Sequence, residues 1–136
     1  MKLLMIYAKK FAYNPTIKVL EDTEEITSGE SFENVQVAFI QMEKEDEERM
    51  KAVETKLVKN LKWVAGKNKT RHVILHSFAH LSESKAEPGF TKELFDSTQK
   101  RLENADYKVN QTPFGYFLDL NVDAPGFSLA RVFKSF

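Results

Sequence analysis

Cysteine is absent from the 136 residues, so disulfides and thiol chemistry are excluded and nothing points to an oxidising compartment. There is no excess of charge of either sign. Twenty Lys and Arg face twenty Asp and Glu, which argues against a protein whose RNA affinity comes mainly from overall charge, because phosphate binding is driven by clustered cations. Any RNA contact must be local or helped by a partner. No apolar run approaches the roughly 20 residues needed to cross a bilayer. The stretch between Lys2 and the pair Lys9-Lys10 is too short for a signal peptide, so a cytoplasmic location is expected. The Gly-rich loop that cradles nucleotide phosphates is missing, as is the Gly-x-Ser-x-Gly elbow of serine hydrolases. Without repeats, low-complexity tracts or linkers, residues 1–136 are expected to form one domain around one core. The end at Phe136 without a linker fits a freestanding protein or an excised domain.

What is present reads as strands and helices sharing one α/β core. Lys2 to Ala8 is a continuous apolar strand covered on both faces, and Phe11 to Val19 a weaker extended segment that Pro15 places at an edge or a bend. Glu21 to Glu33, acidic and Ser/Thr-rich, reads as a loop. Asn34 to Glu43 carries Val35, Val37 and Phe39 on one face and Ala38, Ile40 and Met42 on the other, the pattern of a strand buried between layers. From Glu45 to Ala65 the spacing of Met50, Val53, Leu57, Leu61 and Val64 predicts a helix stopped by Gly66. Lys56, Lys59 and Lys62 near its end form a solvated face that complements the helix dipole or, joined to Lys67, Lys69 and Arg71, a phosphate-facing patch. Val73-Ile74-Leu75 reads as a central strand running into His76-Ser77-Phe78-Ala79-His80-Leu81-Ser82. Pro88-Gly89 is read as a turn, with Thr91 capping a helix to Ala105. Tyr107 to Val109 is a short strand, Tyr116 to Val122 a half-buried one, and Leu129, Val132, Phe133 and Phe136 fall at the spacing of a short terminal helix.

The three histidines, His72, His76 and His80, are evenly spaced. On a strand, neighbours four apart are separated by roughly 13 Å, whereas zinc ligands converge at about 2 Å from one ion, so no metal is expected. Ser77 is expected to point away from His76 and His80, which argues against a serine nucleophile. A polar segment at a strand end and the turn Pro113-Phe114-Gly115-Tyr116-Phe117 together outline a pocket.

The order of apolar strand, Ser-Phe-Ala-His-Leu-Ser at Ser77–Ser82, amphipathic helix and Pro-Phe-Gly-Tyr at Pro113–Tyr116 resembles the N-terminal editing domain of archaeal threonyl-tRNA synthetase. Leu3-Leu4-Met5-Ile6, Val37-Ala38-Phe39-Ile40 with Glu43-Lys44, and Ser128-Leu129-Ala130 extend the likeness along nearly the whole chain. It implies a single-domain D-aminoacyl-tRNA deacylase-like fold, with mixed β-sheet layers packed against two main helices and a short C-terminal helix. It also implies a second sieve. A synthetase site cannot strongly reject serine in favour of threonine, because a methyl group is worth only about 1–3 kcal/mol, so a separate pocket hydrolyses L-seryl-tRNA(Thr). The likeness implies a water assisted by the terminal 2′-hydroxyl, with no cofactor. It further implies His80 and Tyr116 as catalytic residues, and a substrate pocket of Phe78, Ala79, Gly115, Phe117, Leu118, Arg131 and Tyr7. Lys67, Lys69 and Arg71 would meet tRNA. The implied partners are the acceptor end of threonine tRNA, a synthetase catalytic body and a second copy in a homodimer, with no membrane. Four positions depart from the family pattern: Leu118 stands for a lysine, Phe117 for a tyrosine, Arg131 for a glutamate and Tyr7 for a histidine. A non-catalytic tRNA- or protein-binding relative, or a deacylase with a changed aminoacyl substrate, is therefore the alternative.

Overall fold

A computed structural model describes all residues from Met1 to Phe136. Its framework is a six-stranded mixed sheet built on one long strand, β1 (Lys2–Lys18). One edge of β1 pairs antiparallel with β2 (Glu30–Gln41) along most of its length. Its other edge is shared: Lys2–Ile6 pair with β6 (Arg131–Ser135) and Lys10–Lys18 with β5 (Tyr116–Asp123). Beyond β2 lie β3 (His72–Ser77) and the edge strand β4 (Lys108–Gln111), both in parallel register. Helices α1 (Met50–Lys67) and α2 (Pro88–Glu103) complete the α/β domain. Neither is long and apolar enough to cross a membrane.

Alternation along the strands divides the interior in two. Leu3, Met5, Ala38, Ile40, Val73 and Leu75 pack with Val53, Leu57, Leu61 and Val64 of α1 and Leu94, Phe95 and Leu102 of α2. The opposite face puts Val35, Val37, Phe39 and Ile74 against Ala8, Phe11 and Tyr13, with Phe78, Leu118 and Leu120 beside them. No helix covers this second core. The far half of β1 and β5 curl over it, so β2 is buried on both faces, as its two apolar alternations require.

Five local expectations change. Lys2–Ala8 and Phe11–Val19 are one strand, not two. Lys9 and Lys10 are both exposed, with Lys10 paired to Glu33 beside Asn34, whose φ of +55° marks where the in–out alternation slips by one residue, and Pro15 sits at the bulge where the β5 register shifts. The expected terminal helix is reduced to a 3-10 turn, Ser128–Ala130, followed by β6. The unpaired edge of β1 at Lys2–Ile6 decides this: the hydrogen bonds it offers outweigh a short helical spacing. Pro88-Gly89 opens α2 rather than turning before it, because proline fits the first helical position. Thr91 is no cap; it is buried one turn in, with its hydroxyl on Met42 Sδ. Gly66 does not stop α1, which continues to Lys67.

Candidate active site

β2 and β3 end side by side, with Ile40 paired to Ser77, and the chain leaves β3 in a turn. His80 lies on that turn and not on the strand, so the three histidines do not share a strand face. The turn is fixed from below by Gln41, which is only 3% exposed. Its Oε1 accepts from the amides of Leu81 (2.6 Å) and Ser82 (2.8 Å), and its Nε2 donates to the carbonyls of Ser82 (2.7 Å) and Ser84 (2.9 Å). Ser82 Oγ donates to Glu43 (2.7 Å), and the Ala86 amide donates to Met42 O (2.9 Å). Phe78 N donates to Ile40 O. Along the turn this leaves the amides of Ala79 and His80 without a protein acceptor, flanked on both sides by amides that have one.

Glu43 anchors the same corner. Burial alone would raise its pKa, but hydrogen bonds from the Met1 ammonium and the Ser82 hydroxyl, with Lys2 nearby, outweigh that and hold it down at about 2. Because the folded value lies below the usual 4.5, the unfolded chain binds the extra proton, so this contribution is complete above pH 4.5 and is lost as pH falls towards 2. Thermal unfolding measured from pH 7 to pH 2 will show Tm level down to pH 5 and falling below it. Glu43→Gln will flatten that acid limb, and an unchanged limb in the variant would remove Glu43 as its source.

Opposite the turn stands the Pro113-Phe114-Gly115 segment that leads into β5. Gly115 has φ +83° and accepts the Val19 amide at 2.7 Å. Between the two turns lies a cavity of about 400 Å³, within the usual range of about 300–1,000 Å³ for small-ligand sites. Phe78, Ala79, His80, Gly115, Tyr116, Phe117 and Leu118 all line it. So do residues that were not expected: Gln41, His76, Lys85 and Thr112. His76 is sunk in the wall, and burial pushes its pKa down to about 4, so the ring is neutral at pH 7. Its hydrogen bond is to Thr112 and not to Ser77. No Asp or Glu lines the cavity, although acids make up 20 of the 136 residues. With Lys85 on the rim, the lining favours an anionic or neutral occupant.

Other expected site residues stand differently. The Tyr116 hydroxyl is occupied, donating to Glu24 O at 2.7 Å and accepting from Ile26 N at 3.0 Å. It clamps the acidic loop beside the cavity, and only the ring faces inward. Tyr7 and Arg131 do not line the cavity. The Tyr7 hydroxyl donates to Asn34 Oδ1, and Tyr7 pairs with Gln36, five residues before Gln41 on β2 and so roughly 16 Å away. Arg131 Nη1 donates to Pro125 O at 2.7 Å. Along β1, Arg131 pairs with Ile6 and Leu118 with Pro15, nine residues apart, which at the strand rise is roughly 30 Å. Positions 118 and 131 therefore cannot form an ion pair within one chain. Lys67 and Lys69 are exposed, at the far end of β3 from the cavity. The Arg71 guanidinium beside them stacks over Tyr107 at 4.8 Å and donates to Ala105 O, so it holds the β3–β4 corner together. No three His, Asp or Glu side chains converge as a metal site.

The curled mixed sheet with both helices on one face is the D-aminoacyl-tRNA deacylase-like fold. It superposes on a solved structure described as "c-Myc DNA Unwinding Element Binding Protein" with a TM-score of 0.67 at 10% identity, covering 99% of this chain and 98% of that one, a likeness of fold alone. Residues 1–136 match the family described as the "archaea-specific editing domain of threonyl-tRNA synthetase", and the chain belongs to that family. Among relatives, it is 32% identical over 139 residues to the threonine–tRNA ligase of Staphylothermus marinus and 30% over 138 residues to that of Pyrococcus horikoshii. Each alignment covers 99% of this chain and 22% of the ligase, so the chain spans about a fifth of those relatives' length.

Proposed function

We propose that the cavity seats the aminoacyl-adenosine end of mischarged threonine tRNA and hydrolyses the ester of L-serine. The observation that carries this reading is the pair of amides at Ala79 and His80 that have no protein acceptor, on a turn that Gln41 holds and that lines the cavity together with Gly115. Two adjacent N–H groups on a turn tied down on both sides suit the oxygen on which negative charge develops when water attacks an ester. Ser77 has no paired base, since the His76 ring is on Thr112. The attacking water is then positioned by the substrate's own 2′-hydroxyl, and the protein's part is placement and oxyanion stabilisation. The His80 ring stacks edge-on to Phe78 at 4.9 Å and borders the ester. The acid-free lining with Lys85 suits the adjoining phosphates.

The test is decay of seryl- and threonyl-charged threonine tRNA with the purified chain. Seryl ester will be lost faster than in buffer and threonyl ester will not; identical decay of both with and without protein would reject the reading. Leu118 in the cavity and the occupied Tyr116 hydroxyl favour a second reading, a binding relative. It predicts tRNA retention without ester loss.

A further inference from the structure

The cavity has a polar group in its floor as well as on its rim. His76 is 6% exposed, its ring edge-on to Phe39 at 5.1 Å and close to Phe78 at 5.9 Å and Phe11 at 6.5 Å. Nδ1 lies 2.8 Å from Thr112 Oγ1. Nε2 has no partner in the protein, yet it is not sealed away: the sealed, unpartnered side-chain atoms are Gln36 Nε2 and Thr98 Oγ1. Since His76 lines the cavity, the little surface its ring keeps opens there. Resting on the deacylase reading, we propose that His76, oriented by Thr112, is the specificity-determining residue of this cavity. It receives the side-chain hydroxyl of the aminoacyl unit on Nε2 and so selects a hydroxylated residue over an aliphatic one.

The chemistry of the pair favours a hydroxyl. If Thr112 donates to Nδ1, Nε2 carries the proton and donates to the substrate oxygen; if Nδ1 carries it and donates to Thr112, Nε2 accepts the substrate O–H. A hydroxyl satisfies either tautomer, and a methyl satisfies neither. The groups packed on the ring, Phe11, Phe39, Phe78 and Thr112, are uncharged, and burial keeps the imidazole neutral, so both tautomers stay available at neutral pH. A ligand without the hydroxyl leaves a polar nitrogen unpaired among aromatic rings.

The experiment compares binding to the full chain of adenosine carrying serine through a non-hydrolysable 3′-amide with binding of its alanine counterpart. Wild type will prefer the seryl compound by about tenfold or more, the scale of one unpaired buried polar group, and His76→Phe will bring the two within about twofold, the alanyl compound binding no more weakly than to wild type. Nitrogen NMR of the wild-type chain gives a second readout: the His76 Nε2 resonance will shift with the seryl compound and stay in place with the alanyl one. This readout decides the matter if His76→Phe fails to fold. Equal wild-type affinities, a preference kept by a folded His76→Phe, or an Nε2 signal blind to both compounds would each overturn the proposal. Because the readout is binding, a chain that shows the preference but hydrolyses no seryl-tRNA refutes the deacylase reading and leaves the recognition standing.

Discussion

Valine at position 115 will both destabilise the chain and abolish whatever the cavity does. The backbone there has φ +83°, and a Cβ would stand 2.7 Å from Thr23 Cγ2 and 2.9 Å from Leu20 Cβ. A side chain in the left-handed region costs about 1–3 kcal/mol before any clash. The clash cannot relax cheaply, because Leu20 is tied to Gly115 through its own amide and that of Val19, both donating to the Gly115 carbonyl. Together these place the loss at about 3–5 kcal/mol, a large share of the roughly 5–15 kcal/mol that holds a domain folded. Any folded fraction will have its cavity wall displaced, and a shift on the order of 1 Å costs about a hundredfold in rate. Gly66→Ala is the control: a Cβ there meets nothing within 4 Å, and the position is helical, so stability will be unchanged or raised by up to about 1 kcal/mol. Denaturant unfolding of both variants checks the contrast, and a Gly115→Val chain as stable as wild type would contradict it.

Gln41→Leu comes next in size. The substitution keeps the volume but deletes four hydrogen bonds, leaving two amides and two carbonyls of the 81–84 segment unmatched. Partial hydration of these groups sets the cost at about 2–4 kcal/mol. The larger effect is on the turn, where the Ala79 and His80 amides lie between Phe78, pinned to Ile40 O, and Leu81 and Ser82, pinned by Gln41. On the deacylase reading, ester hydrolysis will fall by about a hundredfold, and hydrogen exchange at the Leu81 and Ser82 amides will accelerate. Exchange as slow as in wild type would show that Gln41 is not what holds the turn.

How much of this was legible depended on whether the deciding contact was local. The alternation of β2 announced burial on both faces, and the three-and-four spacing of α1 announced its packed stripe. Both patterns sit within a few residues of the contacts they describe. The continuity of β1 was hidden, because Lys9-Lys10 and Pro15 read as breaks until Asn34 and β5 supply the partners that absorb them. The C-terminal residues mislead for the same reason: their helical spacing is local, whereas the edge of β1 that claims them lies more than a hundred residues earlier in the chain. In the site, the Ser77–Ser82 and Pro113–Phe117 stretches carried their own signals, a polar strand end and a Gly turn. Gln41 and Thr112 did not, since an amide or hydroxyl at a strand end looks ordinary until the loop it holds is in view. Tyr7 and Arg131 came from resemblance alone, and the strand register separates both from the cavity.

The direct measurement is where an aminoacyl-adenosine seats. Amide shift mapping of the labelled chain with adenosine bearing serine through a 3′-amide will concentrate the changes at residues 76–82 and 112–118, the two borders of the cavity. Changes centred instead on Tyr7, Arg131 or the α1 surface, with those two borders unmoved, would contradict the account.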